Sequence, residues 1–226
     1  MVCGAISSPG IGQLLAPNAR QSTCHVSPLV VREHVSHFFH HQREPPASPR
    51  SSVTLLIVPQ AETDHVLAIR PAESEDDAAI WSMLEPVVRA GETYALPRGI
   101  TRADALAYWC ADQHETFVAE HDGIVVGTYY MRSNQAGGGS HVANCGYVTA
   151  CAAQGKGVAR IMLEHSLSHA KARGFRAMQF NFVVSVNERA VKTWLAYGFE
   201  VVGRLPSAFE HPRLGFVDAL VMYRPL

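Results

Sequence analysis

The stretch Gln154-Gly155-Lys156-Gly157-Val158-Ala159 follows an apolar run, Val142 to Val148, and opens a helix-like run from Ala159 to Ala172. A glycine-rich turn between a strand and a helix aims several backbone N–H groups in one direction, and the helix dipole adds positive potential at the same place. That cradle suits a diphosphate. The spacing Gln-x-x-Gly-x-Ala differs from the six-residue dinucleotide fingerprint and lacks the Lys-Ser/Thr ending of a nucleotide P-loop. A plain strand–helix turn is the alternative, with Lys156 either adding a charge or standing solvated. Two amides are the next candidates. Asn144 shares a strand face with Val142, Gly146 and Val148, and Asn181 shares one with Gln179 and Val183. A polar amide in an apolar strand is costly unless hydrogen-bonded, so each serves neighbouring backbone or faces a cleft. Histidine as a residue type titrates near neutrality, which makes His121 and His141 candidate bases. His121 falls in a hairpin turn, and His141 stands at the mouth of a strand. His34, His37, His40 and His41 are close in sequence, but no Cys or carboxylate completes a metal-binding set.

Composition bounds what surrounds these residues. Of 226 residues, 47% are apolar and 17% charged, enough for a sizeable core. The formal charge of −1 advertises neither nucleic acid nor an anionic membrane as partner. No continuous apolar run reaches the roughly 18 residues of a spanning helix. Five cysteines without Cys-x-x-Cys spacing argue against a disulfide framework and a zinc site, so no metal is expected. A reducing, cytoplasmic location follows as the expectation.

The chain divides near residue 65. Residues 1–65 hold seven of the thirteen prolines and no sustained periodicity. Glu44 to Ser52 is linker composition, too poor in apolar surface to offset its ordering entropy. A poorly structured leader is expected there. Its low acid content and four early arginines fit a transit peptide, and an early start codon explains it equally. From Val66 the texture changes. Val66–Arg70 reads as a strand, and Ser74 with three following acids reads as a cap for a helix to about Arg89, which Pro86 should bend or end. Thr101 starts a second helix. Thr116–Glu120 and Ile124–Met131 flank Asp122-Gly123 as a hairpin. Residues 141–149 form a strand, and an amphipathic helix closed by Gly174 follows the glycine turn. Arg176–Ser185 reads as a strand with Met178, Phe180, Phe182 and Val184 on one face. Asn187 caps a short helix, and two strands follow near 199–204 and 216–223. The order β-α-α-β-β-β-α-β-α-β-β is an α/β reading with a mixed sheet of six to seven strands and about four helices.

Over residues 66–226 this order resembles the GNAT N-acetyltransferase family. Three segments carry the resemblance: the loop Gln154–Ala159, the strand Phe180-Asn181-Phe182-Val183-Val184, and Asn187-Glu-Arg-Ala190 leading to Trp194-Leu-Ala-Tyr197-Gly198-Phe199. The resemblance implies acetyl-CoA as co-substrate, with its pyrophosphate on Gln154, Gly155, Lys156, Gly157, Val158 and Ala159 and its pantetheine arm beside Asn187. Backbone N–H groups at Val148 and Thr149 would polarise the thioester, where donors aimed at a developing oxyanion help most. Many relatives carry a tyrosine seven residues after the asparagine, protonating the departing thiolate. Here Trp194 stands there, and an indole N–H donates a hydrogen bond without acting as an acid. Tyr197, one turn on, packs under the Gly-Phe turn or takes that role. A thiol of pKa near 8.5 leaves tolerably unaided, through water or a hydrogen bond. The strands bearing Asn144 and Asn181, with Gly203–Pro206 and Val217–Tyr223, look like the yeast-type proline-analogue N-acetyltransferases, whose paired amides grip the carboxylate of a small amino acid. In such a fold Glu92 and Tyr94 lie in a loop over the acceptor, and Glu92 draws a proton through water or simply faces solvent. The implied function is acetylation of a small-molecule amine, a free amino or imino acid or a toxic analogue. A protein amine is the first alternative, and a non-catalytic acyl-CoA-binding module the second. Relatives of this kind often form homodimers.

Overall fold

The computed structural model describes residues 67–226; the expectations placed on residues 1–66, including the leader and the four-histidine cluster, lie outside the described residues. Seven strands are β1 (Leu67–Pro71), β2 (Glu115–His121), β3 (Ile124–Ser133), β4 (Val142–Thr149), β5 (Ala177–Val184), β6 (Glu200–His211) and β7 (Gly215–Pro225). Four α-helices are α1 (Asp77–Ala90), α2 (Arg102–Trp109), α3 (Val158–Ala172) and α4 (Glu188–Ala196). The element order is the one the sequence predicts. One seven-stranded sheet runs β1-β2-β3-β4-β5-β7-β6. Every neighbouring pair is antiparallel except β4 and β5, which the α3 crossover makes parallel.

Alternation along β4 feeds two cores on opposite faces. Ala143, Cys145 and Tyr147 join α3, α4 and Phe180 in one cluster, and Val148 joins Ile80, Leu84, Tyr94 and Trp109 in the other. The fully buried Trp109 and Trp194 anchor one core each. Burying a side chain of this size stabilises the fold by about 2–3 kcal/mol. Gly146 lies under the Tyr130 ring so closely that an added Cβ would stand 2.6 Å from it. Only glycine lets that ring cross the strand.

Several local expectations need correction. Pro86 does not end α1, which continues to Ala90 and stops at Gly91 in the left-handed region. Its missing N–H and ring are tolerated because Val87, Val88 and the left-handed cap still fix the last turn. Ser74 is not the cap: Glu73 and Asp76 exchange a capping box, and the Ser74 hydroxyl turns to Glu75. Asp76 then meets Arg70 at 2.6 Å, which holds its carboxyl below the usual range and ties α1 to β1. The face assigned to β5 breaks after Phe180, where Phe180 pairs with Met222 and Val183 with Leu220. Two residues oppose one across that bulge, so Val183 takes the core place expected of Phe182. Phe182 packs instead near Phe209. The last two strands are also longer than predicted, because pairing in a two-stranded ribbon sustains Pro206 and Ser207 at a register shift. The Asp122-Gly123 turn has both residues at positive φ, as a two-residue hairpin requires.

Candidate active site

The parallel contact between β4 and β5 lasts for two residue pairs only, Val142 with Ala177 and Ala143 with Met178. Beyond Ala143 the strands part, and the wedge leaves one edge of β4 without a strand partner. Which backbone groups face that wedge follows from the other edge. Asn134 N–H donates to Val142 O, and Ala150 N–H donates to Val126 O. The β3–β4 register is unbroken between these points, so antiparallel alternation puts the backbone of Asn144, Gly146 and Val148 in the β3 ladder. Cys145, Tyr147 and Thr149 turn theirs to the wedge. Tyr147 O accepts the Tyr94 hydroxyl at 3.2 Å, consistent with this phase. The expectation for Val148 as a polarising donor is therefore corrected, since its N–H belongs to the Thr128 pairing. Thr149 N–H points the right way.

At the open end of the wedge the glycine loop has the shape the sequence predicts. Gly155 and Gly157 have φ of +82° and +81°, and Gly157 is the N-cap of α3. Their left-handed conformation turns the N–H groups of Gly155, Gly157, Val158 and Ala159 outward, and none of these meets a backbone carbonyl among the described residues. No atom lies within 4 Å of where a Cβ would stand on either glycine. Backbone strain, not crowding, is what demands glycine there. The loop floors a cavity of about 710 Å³ whose far wall is α4. Arg160, Arg189 and Lys192 supply positive charge around it, and Glu188 is engaged with Lys192 at 2.9 Å. Unpaired N–H donors, two left-handed glycines and three cations fit a diphosphate on a long narrow ligand.

Other candidates fall into place around this cavity or outside it. Gln154, Gly155, Gly157, Val158, Ala159 and Thr149 line it. Lys156 does not; it borders a separate apolar cavity with His121, Ile124 and Ile161. Trp194 is corrected as a cofactor contact: it has no exposed surface and packs against Tyr147 and Phe180 on the core side of α4. Its buried indole N–H has no hydrogen-bond partner among the described residues. Tyr197 lines the cavity, but its hydroxyl donates to the Glu164 carboxylate. Partial burial and that carboxylate raise its pKa, away from acid duty near neutrality. Asn187 caps α4 by accepting from Ala190 N–H at 3.4 Å.

The two amides form a chain across the wedge. Asn144 donates to Gln179 O at 2.7 Å, Gln179 Nε2 donates to Asn181 Oδ1 at 2.8 Å, and Asn181 donates to Asn134 Oδ1 at 2.6 Å. Asn144 is wholly buried, and its Oδ1 has no partner among the described residues. Asn144 thus serves the β5 backbone, whereas Asn181 bonds two side chains, Gln179 and Asn134; Asn181 is partly exposed and Asn144 is not. His141 is exposed, and His121 sits beside Asp122 at 3.3 Å. Neither lines either cavity beside α4.

A second cavity of about 500 Å³ lies on the other side of Asn187. Glu92 borders it and pairs with Arg213 at 2.8 Å, while Tyr94 is buried behind it. Arg213, His211, Arg160, Arg189 and Lys192 escaped the sequence reading. Arg160 stands three residues past Gly157 on the helix that opens there, a spacing that could have exposed it. Arg189 and Lys192 lie in the segment that Asn187-Glu-Arg-Ala190 opens, which could have exposed them too, whereas His211 and Arg213 come from a distant segment without a motif.

Comparison with known proteins agrees with this geometry. The profile of the acetyltransferase (GNAT) family matches residues 81–199. A GCN5-related N-acetyltransferase from Kribbella flavida is 43% identical in a structure covering 71% of this chain and 98% of that one, with a TM-score of 0.68. The structure of yncA from Salmonella typhimurium with its cofactor acetyl-CoA is 23% identical, covers 71% of this chain and 94% of its own, and has a TM-score of 0.63. The N-acetyltransferase aca1 of Schizosaccharomyces pombe is 28% identical over 98 residues, 43% of this chain and 47% of that protein. The chain thus spans about half the length of that curated relative. The chain belongs to the GNAT acetyltransferase family.

Proposed function

We propose that this protein transfers an acetyl group from acetyl-CoA to the amine of a small metabolite, a free amino or imino acid. The observation that carries the reading is a pair of cavities at the start of α4, one bordered by Thr149, Glu188 and Arg189 and rich in unpaired N–H donors and cations, the other bordered by Val186 and Asn187 and holding an exposed ion pair. Gly155, Gly157, Val158 and Ala159 hold the pyrophosphate through their N–H groups, with Arg160, Arg189 and Lys192 supplying charge. Thr149 N–H is directed to the wedge where the thioester carbonyl would lie. The acceptor nitrogen, as a neutral amine, attacks that carbonyl carbon; the C–N bond forms, the C–S bond breaks, the coenzyme departs as thiolate, and the nitrogen gives up one proton to water. No tyrosine acid serves it, since Trp194 is buried and Tyr197 is engaged with Glu164. Water protonates the thiolate, which a thiol of ordinary pKa tolerates. The names of the Kribbella, Salmonella and fission-yeast relatives support the acetyl-transfer chemistry but leave the acceptor open.

The same missing acid favours a second reading, an acyl-CoA-binding module without turnover. Thiol release from acetyl-CoA with free amino acids, amines and short peptides separates the two. Turnover with small amino or imino acids supports the proposal; turnover with peptides alone moves the function to protein amines, and binding without release selects the module.

A further inference from the structure

We infer that Arg213 anchors the carboxylate of the acceptor, and that Glu92 occupies that anchor in the free protein. The inference rests on the small-acceptor reading above and narrows it to α-amino and imino acids with a short apolar side chain. The two residues come from loops about 120 positions apart in the chain, and meet at 2.8 Å across the cavity beside Asn187. A glutamate carboxylate presents the same two oxygens as an amino-acid carboxylate, so its position on the guanidinium marks where a substrate carboxylate would sit. The anchor is held from behind. Arg213 N–H donates to Nδ1 of His211, a ring only 6% exposed, which pins the β6–β7 turn and leaves Arg213's side chain over the cavity. His211 thereby positions the loop through Nδ1.

The exchange is cheap because Glu92 is 35% exposed and Arg213 74% exposed, and ion pairs so open to water contribute little. An incoming zwitterion replaces Glu92 on Arg213 and leaves Glu92 within the same cavity as the substrate ammonium. Glu92 then receives one proton from that ammonium and passes it to water, giving the neutral amine that attack requires. An amine without a carboxylate cannot open the pair and finds Glu92 occupied. Leu214 and Val186, both exposed apolar side chains on the cavity wall, favour a short apolar body on the acceptor. The two amides Asn144 and Asn181 are left to hold the strands, in keeping with their bonding.

The test compares the protein amino acids and proline with their carboxamides in thiol release from acetyl-CoA, using the full chain and the variants Arg213→Ala, Arg213→Lys and Glu92→Gln. For a turned-over acid, Arg213→Ala should raise KM about three- to fivefold, the scale of an ion pair this open to water. The KM of its carboxamide should not rise, since losing Arg213 frees Glu92, and the KM of acetyl-CoA should stay within about twofold. Arg213→Lys should recover part of the loss, and Glu92→Gln should lower kcat while sparing the acid's KM. Equal losses for acid and carboxamide, or a parallel rise in the acetyl-CoA KM, would overturn the anchor while the small-acceptor reading stands. Release with peptides only, or with no acceptor at all, would sink both. Thermal midpoints of each variant guard against simple unfolding.

Discussion

The two cavities flanking Asn187 handle charge in opposite ways. On one side the donors are main chain, fixed by Gly155 and Gly157 at positive φ and by the start of α3. On the other, charge is carried by the Glu92 and Arg213 side chains, delivered by separate loops and paired in half-open water. Main-chain donors cannot be edited by substitution unless the backbone itself is strained, and they offer the same geometry to any diphosphate. A side-chain pair can be exchanged residue by residue. The first construction suits a ligand that never varies, and the second suits an acceptor that differs from one relative to the next.

That contrast breaks most sharply at Gly157. Gly157→Glu forces a residue with a Cβ into φ +81° and brings an acid to the donor cradle. Acetyl-CoA affinity by calorimetry should fall about 100-fold or more, combining left-handed strain with lost charge-assisted bonds. Unchanged affinity would remove the phosphate-loop assignment. Asn187→Ala lies between the cavities and should cost about 0.5–1 kcal/mol of unfolding free energy, the low end for an N-cap because its bond is long. A denaturation midpoint reads this directly. A loss of several times that size would mean that Asn187 carries structure beyond α4. Tyr197→Phe probes the thiolate's fate: kcat should change less than about threefold, whereas loss of a true general acid costs on the order of 100-fold or more. Lys156→Ala should hardly move acetyl-CoA affinity, less than about twofold, because Lys156 borders another cavity.

The smallest expected effect lies outside both cavities. His165 Nδ1 meets the Tyr129 hydroxyl at 2.6 Å, and its ring stacks near His169. Burial first, and the neighbouring His169 second, lower its pKa from 6.5. A base with a depressed folded-state pKa stabilises the fold above its unfolded pKa and loses that contribution as pH falls below about 6.5. His165→Gln should flatten the decline in thermal midpoint between about pH 6.5 and 5. An unchanged slope would assign the decline to other groups.

The fold was legible where local chemistry and period agreed. Asp122-Gly123, the glycine loop and the apolar rows of α3 each encode their element within a few residues, so the element order followed. The phase of β5 was not legible, because the bulge after Phe180 depends on Val221 of β7, a partner about 40 residues away. Val148 failed for a similar reason: which N–H groups face the wedge is decided by register with β3, which no motif in β4 records. Trp194 was misplaced because a family position names a distance along α4, and the aromatic cluster of Tyr147, Phe180 and Phe199 pulls a large ring inward at that turn. The glycine cradle could be read directly from six consecutive residues. The acceptor cavity could not, since its charged pair joins two loops that have no sequence relation to each other.

The brief contact between β4 and β5 has a consequence for how the molecule assembles. Strands β1 to β4 include a meander in which β2, β3 and β4 meet their sequence neighbours, so loop-closure entropy is small there. Strands β5, β7 and β6 form a second ribbon, hydrogen-bonded to the first by two residue pairs and a line of amides and packed with it on the core under α3 and α4. The hydrogen bonding of the sheet thus has a seam down its middle, along which two units are expected to open separately. Native-state hydrogen exchange should show two sets of protected amides whose opening energies differ. A fragment ending at Gly174, mixed with one beginning at Phe175, should reassemble along that seam.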